Sequence, residues 1–307
     1  MKKISYKIRN WPEYNKSLTQ RGRLDVWIPE TLVEDWFNYE KHGGKGASYV
    51  YTNAAIEFCY LIRNLYQLPL RQTRGFVSSI FKMANIPLQT PCYSTMSRRG
   101  KELEVCLREE IGNERLSVAF DATGIKVSGE GEWKVRTHGT EKRRGWTKLH
   151  IAINSDSQEI LAAIVTGSDV HDGEVLADLL EQIPEGVKDG FGDGAYDSHE
   201  NFKLLQSMGS LATIPPRENA VVTGDGAILR NEHVQEIGEI GRDEWKIKHK
   251  YHQRSKVETA MFRMKRCFGG GLTSKIPEIQ AAELFIRCQL LNRFFKLGKP
   301  VTIAVTG

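Results

Sequence analysis

Residues 251 to 265 read Tyr251-His-Gln-Arg254-Ser-Lys-Val-Glu258-Thr-Ala-Met-Phe-Arg-Met-Lys265, and this stretch limits the fold more than any other. On an α-helix, at about 100° per residue, Tyr251, Arg254, Glu258 and Lys265 fall within an arc of roughly 60°. Val257, Ala260, Met261, Met264 and Phe268 form an apolar stripe beside that arc. One face therefore packs, while the next presents a carboxylate among cations. The plainer reading is a surface helix whose charges are only solvated.

With each residue type at about one in twenty, four fixed positions match by chance in a chain this long with odds of roughly 0.002. Two further carboxylates stand out elsewhere in the chain. Asp121 interrupts the apolar, β-branched run Leu116-Ser-Val-Ala-Phe-Asp121-Ala-Thr-Gly-Ile-Lys-Val127. Asp is depleted in strands and costly to bury without a cation or hydrogen bonds, so a metal ion is its simplest partner; a bulge or turn near Gly124 is the alternative. Asp193 ends a short strand before a turn, where carboxylates at strand ends can converge above a sheet. Asp197, with Glu200 three residues on, fits a helix N-cap, and Asp189 fits a turn between Gly186 and Gly190.

The spacing Tyr, two residues, Arg, three residues, Glu, six residues, Lys resembles the signature of bacterial insertion-sequence DDE transposases, and within them insertion sequence family five. The resemblance extends from about Trp11 to Lys296 and includes Asp193-Gly-Ala-Tyr196 and the Asp121 strand. It implies a ribonuclease-H-like catalytic fold in which Asp121, Asp193 and Glu258 are the catalytic residues and the metal ligands. Oxygen donors of this kind suit Mg²⁺ or Mn²⁺, and two such ions can activate an attacking oxygen and stabilise the leaving one. It further implies that Tyr251, Arg254 and Lys265 contact phosphates beside the scissile bond, Arg254 through its fork and Lys265 as a point charge. The reaction would be binding of double-stranded DNA at the element's terminal inverted repeats, hydrolysis to expose a 3′ hydroxyl, and attack of that hydroxyl on target DNA. The acting form would be a homo-oligomer, with no covalent protein intermediate.

The remaining segments suit an α/β fold with a mixed five-stranded sheet flanked by helices. The Asp121 strand and a hairpin over Gly145–Thr166, turning at Asp156-Ser157, give three antiparallel strands. An amphipathic helix over Val170–Ile183 with Asp172 as cap follows, then the strand ending at Asp193, a helix from about Ser198 to Ser207, and a fifth strand at Leu211–Ile214. The 65 residues from Asp193 to Glu258 exceed what one helix and one strand need, so 218–247 reads as a small insertion. Within it, Trp245 is a candidate either for stacking on an extruded base or for plain packing.

Basic residues gather in two places. Lys126, Lys134, Arg136, Lys142, Arg143, Arg144 and Lys148 alternate with Trp133 and Trp146, and Lys246, Lys248, Lys250, Arg254, Lys256, Arg263, Lys265 and Arg266 run along the signature. Phosphate binding is the expectation, and a solvated charged face the alternative.

Residues 1–110 read as a separate all-α module ahead of a catalytic domain over 111–300. Helices are expected at Glu30–Tyr39, Asn53–Tyr66, Leu70–Ala84 and Ser94–Arg108. The last two resemble a helix-turn-helix, with Ser94, Thr95, Ser97 and Arg98 toward the major groove and Arg99 beside them on DNA. The turn from Asn85 to Pro91 is longer than usual for that motif, and a simple supporting bundle is the alternative.

A net charge of +5 permits DNA binding without requiring it. No run approaches the 18 or so apolar residues of a membrane span, and Met1-Lys-Lys-Ile-Ser has no apolar stretch after it, so a cytoplasmic location is expected. Five widely spaced cysteines favour neither disulfides nor zinc and read as reduced core residues. His150, His171 and His199 read as structural donors. Two readings from other classes stay open: a DNA-binding regulator that does not cut, and a metal-dependent nuclease that never joins ends.

Overall fold

The computed structural model describes residues 5–39, 49–108, 110–127, 145–224 and 226–305. In chain order the elements are β1 (Ser5–Ile8), α1 (Trp11–Gly22), α2 (Asn53–Leu65), α3 (Leu70–Met83), α4 (Tyr93–Arg99), β2 (Leu116–Lys126), β3 (Trp146–Asn154), β4 (Ile160–Gly167), α5 (Leu176–Glu181), β5 (Val187–Phe191), α6 (His199–Ser207), β6 (Leu211–Thr213), α7 (Ile228–Ile240), α8 (Arg242–Lys248), α9 (Ser255–Phe268), α10 (Pro277–Leu297) and β7 (Thr302–Val305). They group into two units, Cys106–Cys288 and Met1–Val105 with Gln289–Gly307.

In the first of these units the strands lie in the order β4-β3-β2-β5-β6. β3 is antiparallel to β2 and β4, whereas β5 runs parallel to β2 and β6 parallel to β5. Three antiparallel strands followed by two parallel ones, with the first strand central, is the ribonuclease-H-like arrangement. The pleat sends alternate side chains of β2 to opposite faces. Val118 and Phe120 join a core with Leu176, Leu179 and Leu180 of α5 and Phe202 and Leu205 of α6. Asp121 and Thr123 take the other face, against the turn before α9 and α9 itself, whose buried Val257, Ala260, Met261, Met264 and Phe268 are the stripe seen in the sequence. Gly269 ends α9 at φ +85°, a backbone angle that suits glycine, and its N–H bonds to the Lys265 carbonyl at 2.9 Å.

The proposed insertion is two helices, α7 and α8, joined at Gly241 with φ +82°. Asp197 is not the helix cap. Ser198 takes that role, its hydroxyl accepting from the Asn201 N–H at 3.1 Å, because Asp197 is drawn inward to Arg230 of α7. Arg230 Nε and Nη2 donate to the two Asp197 oxygens at 2.7 and 3.3 Å, and the Arg217 N–H adds a third bond at 2.9 Å. Asp172 is likewise no cap. The segment Asp172–Val175 is a 3-10 turn preceding a short α5, with Asp172 pulled toward Lys148.

The other unit pairs β1 with β7 antiparallel and centres on an aromatic cluster. Trp36 stacks edge-on against Phe58 and Phe81, with centroids 5.9 and 5.0 Å away, and its N–H reaches the Gln89 carbonyl at 2.8 Å. Burying a ring of this size contributes about 2–3 kcal/mol. Reaching that position costs the helix expected over Glu30–Tyr39: only Glu30–Leu32 is helical, as a 3-10 turn, and Asn38 and Thr52 exchange backbone bonds with Val50 and Trp36. The expected Ser94–Arg108 helix stops at Arg99. Gly100 lies so close to Tyr60 that an added Cβ would come within 2.0 Å of its hydroxyl oxygen. Cys59 and Cys288 are buried as expected, but Cys106 is exposed and Cys92 and Cys267 are half-buried. No described helix is long and apolar enough to cross a membrane.

The Asp197–Arg230 pair ties the insertion to the helix that follows Asp193. Removing one partner of a buried pair leaves the other uncompensated. Arg230→Ala is expected to lower unfolding free energy in urea by about 3–5 kcal/mol; a loss below about 1 kcal/mol would mean that the pair is effectively solvated.

Candidate active site

The parallel register of β2 and β5 places the first two acidic residues. Ala119 lies opposite Phe191, so two residues further along both strands Asp121 and Asp193 come level on the same face. Neighbouring strands are about 4.8 Å apart. The chain past Phe191 stays extended at Asp193, whose carboxylate accepts from the Ala195 N–H at 2.8 Å. A 3-10 turn, Gly194–Tyr196, then buries Tyr196 against Phe120 at 6.2 Å and so holds the segment down.

The signature brings in the third carboxylate. Tyr251–Arg254 is a 3-10 turn rather than the start of the helix, and α9 begins at Ser255. Arg254 still points along the helix face: it pairs with Glu258 four residues on and reaches across to Asp121 Oδ2 at 3.4 Å. Lys265, two turns further, donates to Thr123 Oγ1 at 2.5 Å. Thr123 follows Asp121 by two residues on the same pleat face, and that period was the one sequence signal that pointed to it.

Side-chain exposure grades across the site, from 13% at Asp121 and 18% at Arg254 to 52% at Glu258. Burial is the main cause that lifts the Asp121 pKa to about 6. Its bond from the Ala122 N–H and the charge of Arg254 act the other way, while Asp193 and Glu258 push it further up. Burial also raises the Tyr251 phenol, which senses Arg254 and all three carboxylates. Three carboxylates face two cations here, so the site is short of positive charge, and its donors are hard oxygens. That combination fits a divalent cation of the Mg²⁺ or Mn²⁺ kind. Among the described residues the three do not form a group with all ligand oxygens within 4.8 Å; Arg254 occupies the space between two of them.

The other candidate residues divide. Lys148 is committed to Asp172 at 2.5 Å and to the Val170 carbonyl at 2.8 Å, which removes it as a ready phosphate contact. Arg99 is buried, bonded to the Tyr51 carbonyl at 2.6 Å and to Asn53, with Tyr49 stacked on it at 4.0 Å. Its guanidinium is therefore engaged inside the helical unit. Arg98 is exposed and, with Ser94, Ser97, Arg71 and Tyr93, lines a groove of about 580 Å³ between α3 and α4. Arg143 and Arg144, with Trp133, Lys134, Arg136 and Lys142, lie outside the described residues. Trp245 is fully buried, so it packs and does not stack on a base.

Of the histidines, His150 is buried, bonded through Nε2 to Thr166 Oγ1 at 2.9 Å, and burial lowers its pKa. His150 Nδ1 lies 3.8 Å from Asp172 Oδ1, a proximity that the sequence did not reveal. His199 Nδ1 lies 3.5 Å from Thr223 Oγ1.

Among solved structures, the chain is similar to a piggyBac transposase in its synaptic complex with hairpin DNA, at a TM-score of 0.40 and 9% identity over 95% of this chain and 77% of that one. Residues 19–130 match a family model described as a transposase DDE domain. A second model of the same description matches residues 112–293, more than half of the chain and a span that includes Asp121, Asp193, Glu258 and the whole signature. The chain therefore belongs to the DDE transposase family.

Proposed function

We propose that this transposase binds the terminal inverted repeats of an insertion sequence, hydrolyses the DNA to free 3′ hydroxyl ends and joins those ends to target DNA. The observation that carries the reading is the parallel register of Ala119 with Phe191, which two residues further on brings Asp121 and the Asp193 just past β5 side by side, with Arg254 tying Glu258 to Asp121. DDE domains generally use divalent metal ions. In this reading Asp121, Asp193 and Glu258 hold two Mg²⁺ or Mn²⁺ ions, which when bound activate the entering oxygen and neutralise charge on the leaving one.

The protein's own side chains account for the rest. Phosphodiester cleavage concentrates negative charge, which carboxylates alone would repel, so cations placed beforehand are needed. Arg254 supplies a bidentate fork, and Lys265, held by Thr123, supplies a fixed point charge further along the helix. Tyr251 brings a phenol whose raised pKa keeps it protonated and able to donate to a phosphate oxygen. The helical unit, through Arg98 and its neighbours on the groove between α3 and α4, is the proposed reader of double-stranded DNA. The piggyBac neighbour was captured on hairpin DNA; for this chain, DNA as the partner and assembly as a homo-oligomer on it belong to the proposal.

Arg254 competes with a metal ion for Asp121 and Glu258 when no DNA is present. Arg254→Ala is therefore expected to bind Mn²⁺ more tightly without DNA, by roughly threefold to tenfold from the loss of a like charge near the site, while cleaving DNA at least about a hundredfold more slowly. Calorimetric titration and gel assays read the two effects; weaker Mn²⁺ binding would show that Arg254 organises the carboxylates more than it competes for them.

The proposal as a whole is tested on labelled DNA carrying the sequences that flank the gene, with Mg²⁺ or Mn²⁺. Cleaved and joined products should form with the wild type and disappear with Asp121→Ala and Glu258→Ala, while DNA binding persists. Binding without cutting under either ion would favour a regulator, and cutting without joining a nuclease.

A further inference from the structure

The segment between Asp193 and Glu258 contains a cluster that the site above does not use. Ligand atoms of His233, Glu236 and His249 all lie within 4.8 Å of one another, a spacing that suggests a metal site. The hydrogen bonds argue otherwise. His233 Nδ1 accepts from the Trp245 indole N–H at 3.2 Å, which places the ring proton on Nε2, and Nε2 lies 2.6 Å from the Ala212 carbonyl on β6. Both nitrogens of His233 are occupied. Burial lowers the pKa of His233, which keeps the ring neutral and so able to accept at one nitrogen while donating at the other. His249 bonds to Glu236 at 2.6 Å, and Lys248 pairs with the same carboxylate.

Bonds and ring contacts lead from this cluster to the signature. The Trp245 ring lies 5.0 Å from His249 at 31° and 5.8 Å from Tyr251 at 49°. The Arg254 guanidinium in turn sits 5.9 Å from the centre of the Tyr251 ring. Lys250, immediately before Tyr251, has φ +52°, in the left-handed region. A non-glycine residue is strained there, and persists only where the surrounding structure fixes it. The Gln253 N–H closes the turn on the Lys250 carbonyl at 3.0 Å. The chain of contacts therefore runs from a sheet strand through His233 and Trp245 to Tyr251 and Arg254, without a gap.

We propose that Trp245, fixed by His233, is a positioning residue for Tyr251 and, through that turn, for Arg254, so that the α7–α8 insertion braces the signature against the sheet. The inference rests on the cleavage reading above. Trp245 touches neither DNA nor metal in this account; it acts by setting where Tyr251 stands.

A double-mutant cycle on single-turnover cleavage, with labelled DNA carrying the flanking sequences and Mn²⁺, separates this from general loss of structure. At saturating DNA, Trp245→Leu is expected to slow cleavage about tenfold while changing the Kd for DNA less than about twofold. Trp245→Phe keeps a ring against Tyr251 but loses the bond to His233, and should slow cleavage only about threefold. In a Tyr251→Ala background both substitutions should cost less than about twofold, because the residue they act through is gone. If Trp245→Leu does not fold, the Trp245→Phe cycle decides by the same criterion. Equal losses in both backgrounds would overturn the inference and leave the cleavage reading intact. A wild type that binds this DNA and never cuts it would overturn both.

Discussion

The parallel pairing of β2 with β5 is the constraint on which the rest of this site depends. A strand that met β2 antiparallel would send Asp193 to the far end of Asp121's neighbour. Parallel pairing at the observed register puts the two carboxylates level and on one face. That pairing needs a crossover, which is supplied by the β3–β4 hairpin and α5. The apolar side chains of α5 and α6 cover one face of the sheet and leave the other to α9. The site is thus a consequence of topology, with the chemistry added by a few side chains on the uncovered face.

Charge balance is the second constraint. Three carboxylates gathered at one end of a sheet repel one another, and burial makes Asp121 reluctant to ionise. Arg254 relieves this from the helix side and at the same time joins α9's first turn to β2. The same pattern recurs deeper in the unit, where Asp197 is met by Arg230 and Glu283 by Arg287, Thr273 and Ser274. Each buried acid is matched by a cation from a segment distant in sequence or one helical turn away, so the charged residues help to fix how the segments pack.

What the sequence revealed and what it hid follow from the range of the interactions. Asp121 stood out because a charge broke an apolar run, and α9 because its stripe and its charged arc are both periodic within one helix. The five strands were legible from alternation and turn residues. Arg99 and Lys148 stood out in the sequence as uncommitted cations, because the partners that engage them, Tyr51 and Asp172, are distant in sequence and carry no local signal. The helix expected over Glu30–Tyr39 was lost to Trp36, whose burial against Phe58 and Phe81 outweighed local propensity. α10 went unread because it is buried nearly all round, with Glu283, Arg287 and Gln289 inside, and so lacks a one-sided pattern. β1 and β7 pair the two ends of the chain, which no local window can show.

The proposed function requires Asp121, Asp193 and Glu258 to share one divalent-metal site. Iron can stand in for Mg²⁺ and, with ascorbate and peroxide, generates hydroxyl radicals that cut the polypeptide next to the bound ion. Mass spectrometry of the fragments from the full chain should then find breaks close to residues 121, 193 and 258 together, suppressed by excess Mg²⁺ and absent from Glu258→Ala. Breaks confined to one of these segments, or gathered instead around His233 and His249, would rule out a shared metal site at the three carboxylates.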